Sequence, residues 1–450
     1  MKIKFALLFL IVIFCAYPCF AGTGYPDKTA SIIDTTSFND PFVLDDKGIP
    51  SLNNERKLIL CISDIHLGAD DSYTETKKNR EPLVKFLEQV RTAPNIKELV
   101  IAGDMIDLWF VPSATETFRG KTQNEFVRIV AKNNKHVIAA FNNIIRDGKI
   151  KVTYVPGNHD LTVTAEDIES ILPGIHQQRD VAGLGSYSPE GHPEIVIEHG
   201  HRYNFFCAPD PISNRDIAPG PILPPGYFFT RIATTSVIEG FPKVSGKMPE
   251  VTLNSYGEDQ ALAYIYWKTW YKLMTDFPVN EGFDEKIIKT NIDGFTENYS
   301  ISDFMPYQIS AGGYINISKM YKTILATWDE RQELNRVSVK IPLKEAIMEA
   351  ASEAETDAQA DVQYFKNPNS DKRIVVFGHT HEPRIIPSEN IKGQKTIYAN
   401  SGTWIDANHN FPTMTFLVIT PQGNSSVPLY LSLFYYSPDG TITKMDTQSL

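Results

Sequence analysis

Cysteine is scarce in this chain. Four occur in 450 residues, and two of them, Cys15 and Cys19, lie in the apolar N-terminal stretch. The other two, Cys61 and Cys207, form neither a disulfide framework nor a thiolate zinc motif. Cys61 falls in a predicted core strand and Cys207 in a predicted loop, which reads as one buried and one incidental thiol. Positive charge is short as well. Lys and Arg number 43 against 54 Asp and Glu, a formal charge of −11, or −13 once Lys2 and Lys4 are set aside. That balance excludes a general nucleic-acid-binding role and leaves room only for a local basic pocket. Beyond the N-terminus no apolar run is long enough to span a bilayer. Internal repeats and low-complexity tracts are also missing. What remains, 42% hydrophobic and 22% charged residues, is the composition of a soluble globular protein. Its length accommodates one large domain with insertions, or two domains.

The first 21 residues read as a secretory signal peptide. Lys2 and Lys4 begin it, Phe5 to Phe14 form a short apolar stretch, and Cys19-Phe20-Ala21 places small residues for cleavage before Gly22. An uncleaved anchor is one alternative, and lipoprotein processing at Cys15 or Cys19 is another. The expected mature protein is exported to the periplasm or outside the cell and has no transmembrane segment.

Residues 22–56 are polar and read as an N-terminal arm. From Lys57 strand and helix patterns alternate, which predicts an α/β core with parallel first strands. Leu83, Val84, Leu87 and Val90 mark one helix, and residues 121–146 repeat the spacing with Gly148 as a stop. After His201 the pattern changes. Residues 205–370 read as a mainly helical insertion or lid between two parts of the core, 57–204 and 371–450. Helical stretches are expected near 257–276, 316–335 and 342–365. The aromatic cluster Tyr264, Tyr266, Trp267, Trp270 and Tyr271 is expected to build the insertion's own core. Phe205, Phe206, Tyr227, Phe228 and Phe229, in a Pro-rich and loop-like stretch, are expected to line an apolar substrate wall.

The chemistry lies in five short blocks, each just after a strand-like apolar run. They are Ser63-Asp64-Ile65-His66, Gly103-Asp104, Gly157-Asn158-His159-Asp160, Glu198-His199-Gly200-His201 and Gly378-His379-Thr380-His381. Open α/β sheets gather ligands at the carboxyl ends of their strands, so these distant residues can converge. Carboxylate, amide and imidazole donors suit two divalent ions, Mn, Fe or Zn. Asp104, fixed at the end of a buried strand, is the natural bridging carboxylate. Asp64 and His66 are two apart, which on an extended backbone puts them on one face. His379 and His381 share that spacing.

Taken together and in order, the five blocks resemble the calcineurin-like metallophosphoesterases. The resemblance covers about residues 57–201 and 373–405. It implies a two-sheet α-β-β-α sandwich and a metal-dependent phosphoric ester hydrolase. It implies that Asp64, His66, Asp104 and His381 hold one ion, and that Asp104, Asn158, His199 and His379 hold the other. A metal-bridging hydroxide would attack, His159 would assist the leaving oxygen as a general acid, and Asp160 would orient His159. His201 and Arg202 are candidate substrate contacts, with a structural role as the alternative. Asp107 and Trp109 are candidates to support the site from behind, as is the closing turn Asn400 to Trp404. His136, His176, His192 and His409 read as ordinary histidines.

Departures from the pattern narrow the branch. Leu108-Trp109 stands where protein Ser/Thr phosphatases carry Arg-Gly, and Asp107 stands where purple acid phosphatases carry a Tyr ligand. Gly103-Asp104 with Asp107-Leu108-Trp109, and the Glu198 to His201 block, resemble the branch of the UDP-2,3-diacylglucosamine hydrolase. His159 stands where that enzyme commonly has Arg, and the export signal speaks against its cytoplasmic role. The expected substrate is therefore a phosphorylated small molecule, a nucleotide sugar or a lipid-linked compound, with a phosphomonoester, phosphodiester or pyrophosphate bond. The rival reading is a non-catalytic phosphate-ligand or cell-surface binding protein on the same fold.

Overall fold

The computed structural model describes residues 41–42, 56–243, 248–350, 354–421 and 429–450. The expected signal peptide and nearly all of the expected arm lie outside the described residues. The first strands are β1 (Leu58–Ile62), β2 (Ile96–Ala102), β3 (Lys151–Val155), β4 (His176–Gln177), β5 (Ser186–Tyr187) and β6 (Ile195–Glu198). Four two-residue strands follow: β7 (Ile288–Lys289), β8 (Asn298–Tyr299), β9 (Tyr307–Gln308) and β10 (Ile315–Asn316). The chain ends with β11 (Ile374–Phe377), β12 (Arg384–Glu389), β13 (Lys395–Asn400), β14 (Thr415–Thr420), β15 (Tyr430–Tyr436) and β16 (Ile442–Ser449).

Among the described residues, seven strands form one sheet in the order β16-β15-β14-β1-β2-β3-β4, and five form a second, β12-β13-β11-β6-β5. β1, β2 and β3 run parallel, as do β6, β11 and β13. The side-chain period of two divides each strand between two cores. Ile59, Cys61, Val100, Ala102 and Leu417 meet Ile195, Ile197 and Val376 between the sheets. Leu58, Leu60, Ile62, Leu99 and Ile101 face away from that interface, into helices α1 (Arg80–Thr92) and α3 (Lys135–Asp147). This is the two-sheet α-β-β-α sandwich. Cys61 is one of its buried positions, and burial pushes its thiol up.

Residues 121–146 are two helices where the periodicity predicts one. α2 (Gln123–Asn133) begins at a Thr122 and Glu125 capping box, and Asn134 separates it from α3. The Asn134 amide donates to Gly68 O (2.9 Å) and Val130 O (2.8 Å), drawing the chain out of helical geometry. Gly148 closes α3 at φ 63°, as its position predicts. A short helix α4 (Ala165–Ile171) follows.

Segment 205–370 is less helical than its composition suggests. Its helices are α5 (Pro225–Ile238), α6 (Glu258–Asp276), α7 (Trp328–Leu334), α8 (Leu343–Glu349) and α9 (Ala354–Ala360), the last continuing as a π-helix through Phe365. Long irregular stretches with the four small strands separate them. α5 falls where the sequence predicts loop: Pro225 is its first residue, where the missing N–H costs nothing. As a result the expected apolar wall is not a wall. Phe205, Phe206, Tyr227, Phe228 and Phe229 are all buried. Phe206 stacks on Tyr266, and Phe228 packs against Phe295 and Phe304, so these rings build the segment's own core with the Tyr264–Tyr271 cluster. Its end has a further task. Tyr364 lies against Phe377, and Asp357 accepts the Tyr398 hydroxyl, so α9 and the turn after it cover the outer face of the second sheet.

Two fully buried arginines bolt this segment down. Arg331 donates to the carbonyls of Phe205 (2.9 Å) and Pro209 (3.0 Å). Arg231 donates to Val111 O (2.6 Å), Pro112 O (3.0 Å), Thr117 Oγ1 (2.8 Å) and Lys289 O (3.0 Å). Arg231→Ala leaves those carbonyls without donors, and hydrogen bonds to a charged group are worth roughly 1.5–3 kcal/mol each. Chemical denaturation should show a loss of about 4 kcal/mol, with the midpoint shifted at near-constant slope.

Candidate metal centre

Each block ends a strand at the same edge of the sandwich. Asp64 and His66 follow β1, Asp104 follows β2, Asn158 follows β3, His199 follows β6, and His379 and His381 follow β11. The backbone there is not extended. Asp64, His66, Asp104, His379 and His381 all have positive φ, from 49° to 71°. Five of the seven expected ligands are thus held in a left-handed conformation uncommon outside glycine, as happens where function demands a fixed direction. This corrects the expectation that Asp64 and His66 share the face of an extended strand: both reach the site from a turn.

Two glycines let these turns close. A Cβ on Gly157 would run into Asp104 Oδ1 and the Asp104 backbone nitrogen, and one on Gly103 would strike the His199 ring. Behind them Asp64 is braced from the chain's far end. Its side chain accepts from Ser63 and from the His379 N–H, and its carbonyl accepts from Thr403 Oγ1 (2.8 Å) and Trp404 N (3.0 Å). The turn Asn400 to Trp404 therefore supports the site directly.

All seven expected ligands converge. Asp64 Oδ1 lies 2.9 Å from His381 Nε2 and 3.8 Å from His66 Nε2, and the two imidazole nitrogens are 3.1 Å apart. On the other side His199 Nε2 lies 3.2 Å from Asp104 Oδ2 and 3.0 Å from Asn158 Oδ1, which itself is 2.8 Å from His379 Nδ1. Asp104 Oδ2 also lies 3.6 Å from His66 Nε2, so one oxygen faces both groups. Its other oxygen accepts the His159 backbone N–H at 2.8 Å. His199 Nδ1 donates to Ala102 O at 2.8 Å, which turns Nε2 toward the Asp104 and Asn158 oxygens. Buried acceptors pointed at one another in this way require a cation or protons between them. The clusters Asp64, His66, His381 and Asp64, Asp104, His199 have the spacing to hold an ion, so the residues fit the two metals the sequence predicts.

The charges within the site respond accordingly. Burial works to raise the Asp64 and Asp104 carboxyls, but the imidazoles beside them, His381 for Asp64 and His199 for both, hold them well below the usual range. Against the pull of burial, Asp104 and Asp64 push His199 up to about 9. Burial, then His199 beside it, takes His379 down to about 3.

Residues 57–222 match the family model described as calcineurin-like phosphoesterase. That match, over residues 57–222, supports the calcineurin-like phosphoesterase superfamily. This phosphoesterase is accordingly a metal-dependent phosphoric ester hydrolase. The matched stretch carries Asp64, His66, Asp104, Asn158 and His199, while His379 and His381 lie beyond it and join through the fold. No curated protein matches the chain.

Three expected roles in the phosphoesterase are placed differently. Asp160 does not orient His159. Its carboxylate accepts the backbone N–H groups of Gly157 (2.7 Å), Met105 (2.9 Å) and Ile106 (3.2 Å), tying the Asp104 and Asn158 turns together. The partner of His159 is Asp107, with Oδ1 2.9 Å from Nδ1. Asp107 Oδ1 also accepts from Trp109 N (2.9 Å) and Phe110 N (2.8 Å), and the Trp109 ring stacks on His159 with centroids 4.8 Å apart. Arg202 is not free for substrate: it pairs with Glu198 (2.9 Å) and Asp180 (2.6 Å). His201 is buried, and its Nε2 lies 2.9 Å from Gly183 O, so it backs the His199 and His379 rings. His136, His176 and His409 are exposed and His192 is half-buried, away from the centre. One residue escaped the sequence reading. Glu75, alone in a polar loop, brings Oε2 to 3.3 Å from His66 Nδ1.

Proposed function

We propose that this phosphoesterase is an exported dinuclear enzyme. It hydrolyses a phosphomonoester, phosphodiester or pyrophosphate bond, with His159 assisting the leaving oxygen. Asp64, His66, Asp104 and His381 would hold one ion; Asp104, Asn158, His199 and His379 would hold the other. The observation that carries this reading is Asp104 Oδ2, which lies within 3.6 Å of His66 Nε2 and 3.2 Å of His199 Nε2. When bound, two divalent ions provide a nucleophile at neutral pH and neutralise the charge on the phosphoryl oxygens.

The chain's own groups do the remaining work. Asp107 accepts from His159 Nδ1 and fixes the ring's direction, so that the doubly protonated ring delivers its Nε2 proton to the departing oxygen. Trp109 holds the ring plane. Asn158 contributes an uncharged oxygen, which keeps the centre positive enough to attract a phosphate. Support for export lies in Lys2, Lys4 and the apolar run Phe5 to Phe14. No helix among the described residues is long and apolar enough to cross a membrane.

One experiment tests the reading. Protein from its native host is N-terminally sequenced, loaded with Mn, and assayed on aryl phosphate mono- and diesters and nucleotide-sugar pyrophosphates. A start near Gly22, turnover of at least one class, and loss of turnover on chelation are expected. A chain still beginning at Met1 removes the export claim. Protein that binds no ion at any loading and cleaves no ester removes the dinuclear mechanism.

A further inference from the structure

His66 faces two ways. Its Nε2 looks into the centre, toward His381 Nε2 at 3.1 Å and Asp104 Oδ2 at 3.6 Å. Its Nδ1 looks out of it, toward Glu75 Oε2 at 3.3 Å and Asp107 Oδ2 at 3.4 Å. Asp107 Oδ1 takes the His159 ring and two backbone N–H groups, while its Oδ2, the oxygen on the His66 side, has no hydrogen-bond partner among the described residues, so Glu75 is the carboxylate here with no second imidazole to serve. Glu75 lies within 4 Å of no Lys or Arg nitrogen in any ion pair found among the described residues, and its side chain is only 11% exposed. A carboxylate so enclosed, with an imidazole as its near neighbour, needs a reason to be there.

The loop that carries Glu75 is clamped. Asp406 Oδ1 accepts the N–H groups of Lys77 (2.8 Å), Lys78 (2.7 Å) and Asn79 (3.0 Å), and Asp406 N donates to Glu75 O at 2.9 Å. Thr76 Oγ1 donates to Ile65 O at 2.5 Å, between the two residues of the first metal block. Asn79 Nδ2 donates to Ile405 O at 2.6 Å, just past the turn that braces Asp64. These bonds fix the backbone of Glu75 to the same frame that fixes His66.

We infer that Glu75 is a positioning residue for the first metal, accepting the Nδ1 proton of His66 so that Nε2 presents its lone pair to the ion. Two carboxylates then divide two imidazoles: Glu75 serves the ligand His66, and Asp107 chiefly serves the acid His159. A carboxylate behind a ligating imidazole fixes its tautomer and ring direction and raises its basicity. The inference rests on the dinuclear reading above.

The test is a metal titration, independent of turnover. Metal-free wild type, Glu75→Gln and Glu75→Ala are titrated with Mn(II), and free Mn(II) is followed by electron paramagnetic resonance. Melting of each metal-free protein is recorded alongside. Wild type should bind two ions. Glu75→Ala should weaken one of the two by about 10–100-fold and leave the other unchanged, because losing such a partner typically costs that much. Glu75→Gln, which keeps an acceptor oxygen but no charge, should fall between. Metal-free melting should stay close to wild type, since the bonds from Asp406, Thr76 and Asn79 that hold the loop do not use the Glu75 side chain. Two ions bound with native affinity by Glu75→Ala overturn the inference alone. Equal weakening of both ions with a lowered metal-free melting point overturns it too, by showing a purely structural role. A wild type that binds fewer than two ions overturns the dinuclear reading instead.

Discussion

Asp104→Ala should lose bound metal and turnover together. Asp104 Oδ2 lies 3.6 Å from His66 Nε2 and 3.2 Å from His199 Nε2, close to an imidazole of each ligand group, so its removal weakens both ions at once. Metal catalysis is worth several kcal/mol of transition-state stabilisation, and each 1.36 kcal/mol is tenfold, so kcat/KM should fall by at least ~10³. Metal content by plasma emission spectrometry should fall below one ion per chain. Asp104→Asn is the informative control. It retains an oxygen to accept the His159 N–H, now made at 2.8 Å, but lacks the charge facing His66 and His199. It should therefore fold as well as wild type and still lose metal. Full metal retention in both variants would show that Asp104 does not bridge.

His159→Ala should behave in the opposite way, keeping both ions and losing rate. His159 gives its backbone N–H to Asp104 and lies edge-on to the His66 ring (centroids 4.5 Å), but its ring nitrogen pairs with Asp107, outside the two expected ligand groups. Loss of a general acid costs about 10²–10⁴ in rate, and the loss should shrink for leaving groups that need no proton. A set of aryl phosphates of graded leaving-group pKa reads this directly. In wild type the dependence on leaving-group pKa should be shallow, and in His159→Ala steep. Asp107→Asn should follow the same trend with a smaller drop, roughly 10–100-fold, because the imidazole remains but its tautomer is no longer held. Asp160→Ala should not steepen the dependence, since Asp160 braces backbone N–H groups and not the ring. Equal slopes for wild type and His159→Ala would take His159 out of the proton transfer.

The ligand types and their order were legible in the sequence because strand ends are. Val- and Ile-rich runs such as Leu58–Ile62 and Ile374–Phe377 are buried on both faces, and such strands announce themselves as continuous apolar stretches. Whatever polar residue follows them must stand at the sheet edge. The alternating pattern likewise sufficed for the sandwich and for α1 and α3. Helix α5 was hidden by local chemistry: Pro224-Pro225-Gly226 has the composition of a turn, and only burial of the following ten residues, Tyr227 to Ser236, turns it into a helix start.

Partnership was not legible. Asp160 adjoins His159 in sequence and Asp107 is 52 positions away, yet the ring pairs with Asp107, because the β2 and β3 turns cross over one another. Arg202, next to the centre, is committed to Glu198 and Asp180, which no spacing reveals. Glu75 carries no local signal at all; its position follows from Asp406, more than three hundred residues on. The sequence by itself determined which donors this protein can offer to an ion and at which strand ends they stand, since both follow from side-chain type and hydrophobic period. Only the tertiary structure decided the direction each donor points, because positive φ at Asp64, His66, Asp104, His379 and His381 is imposed by packing between segments distant in the chain.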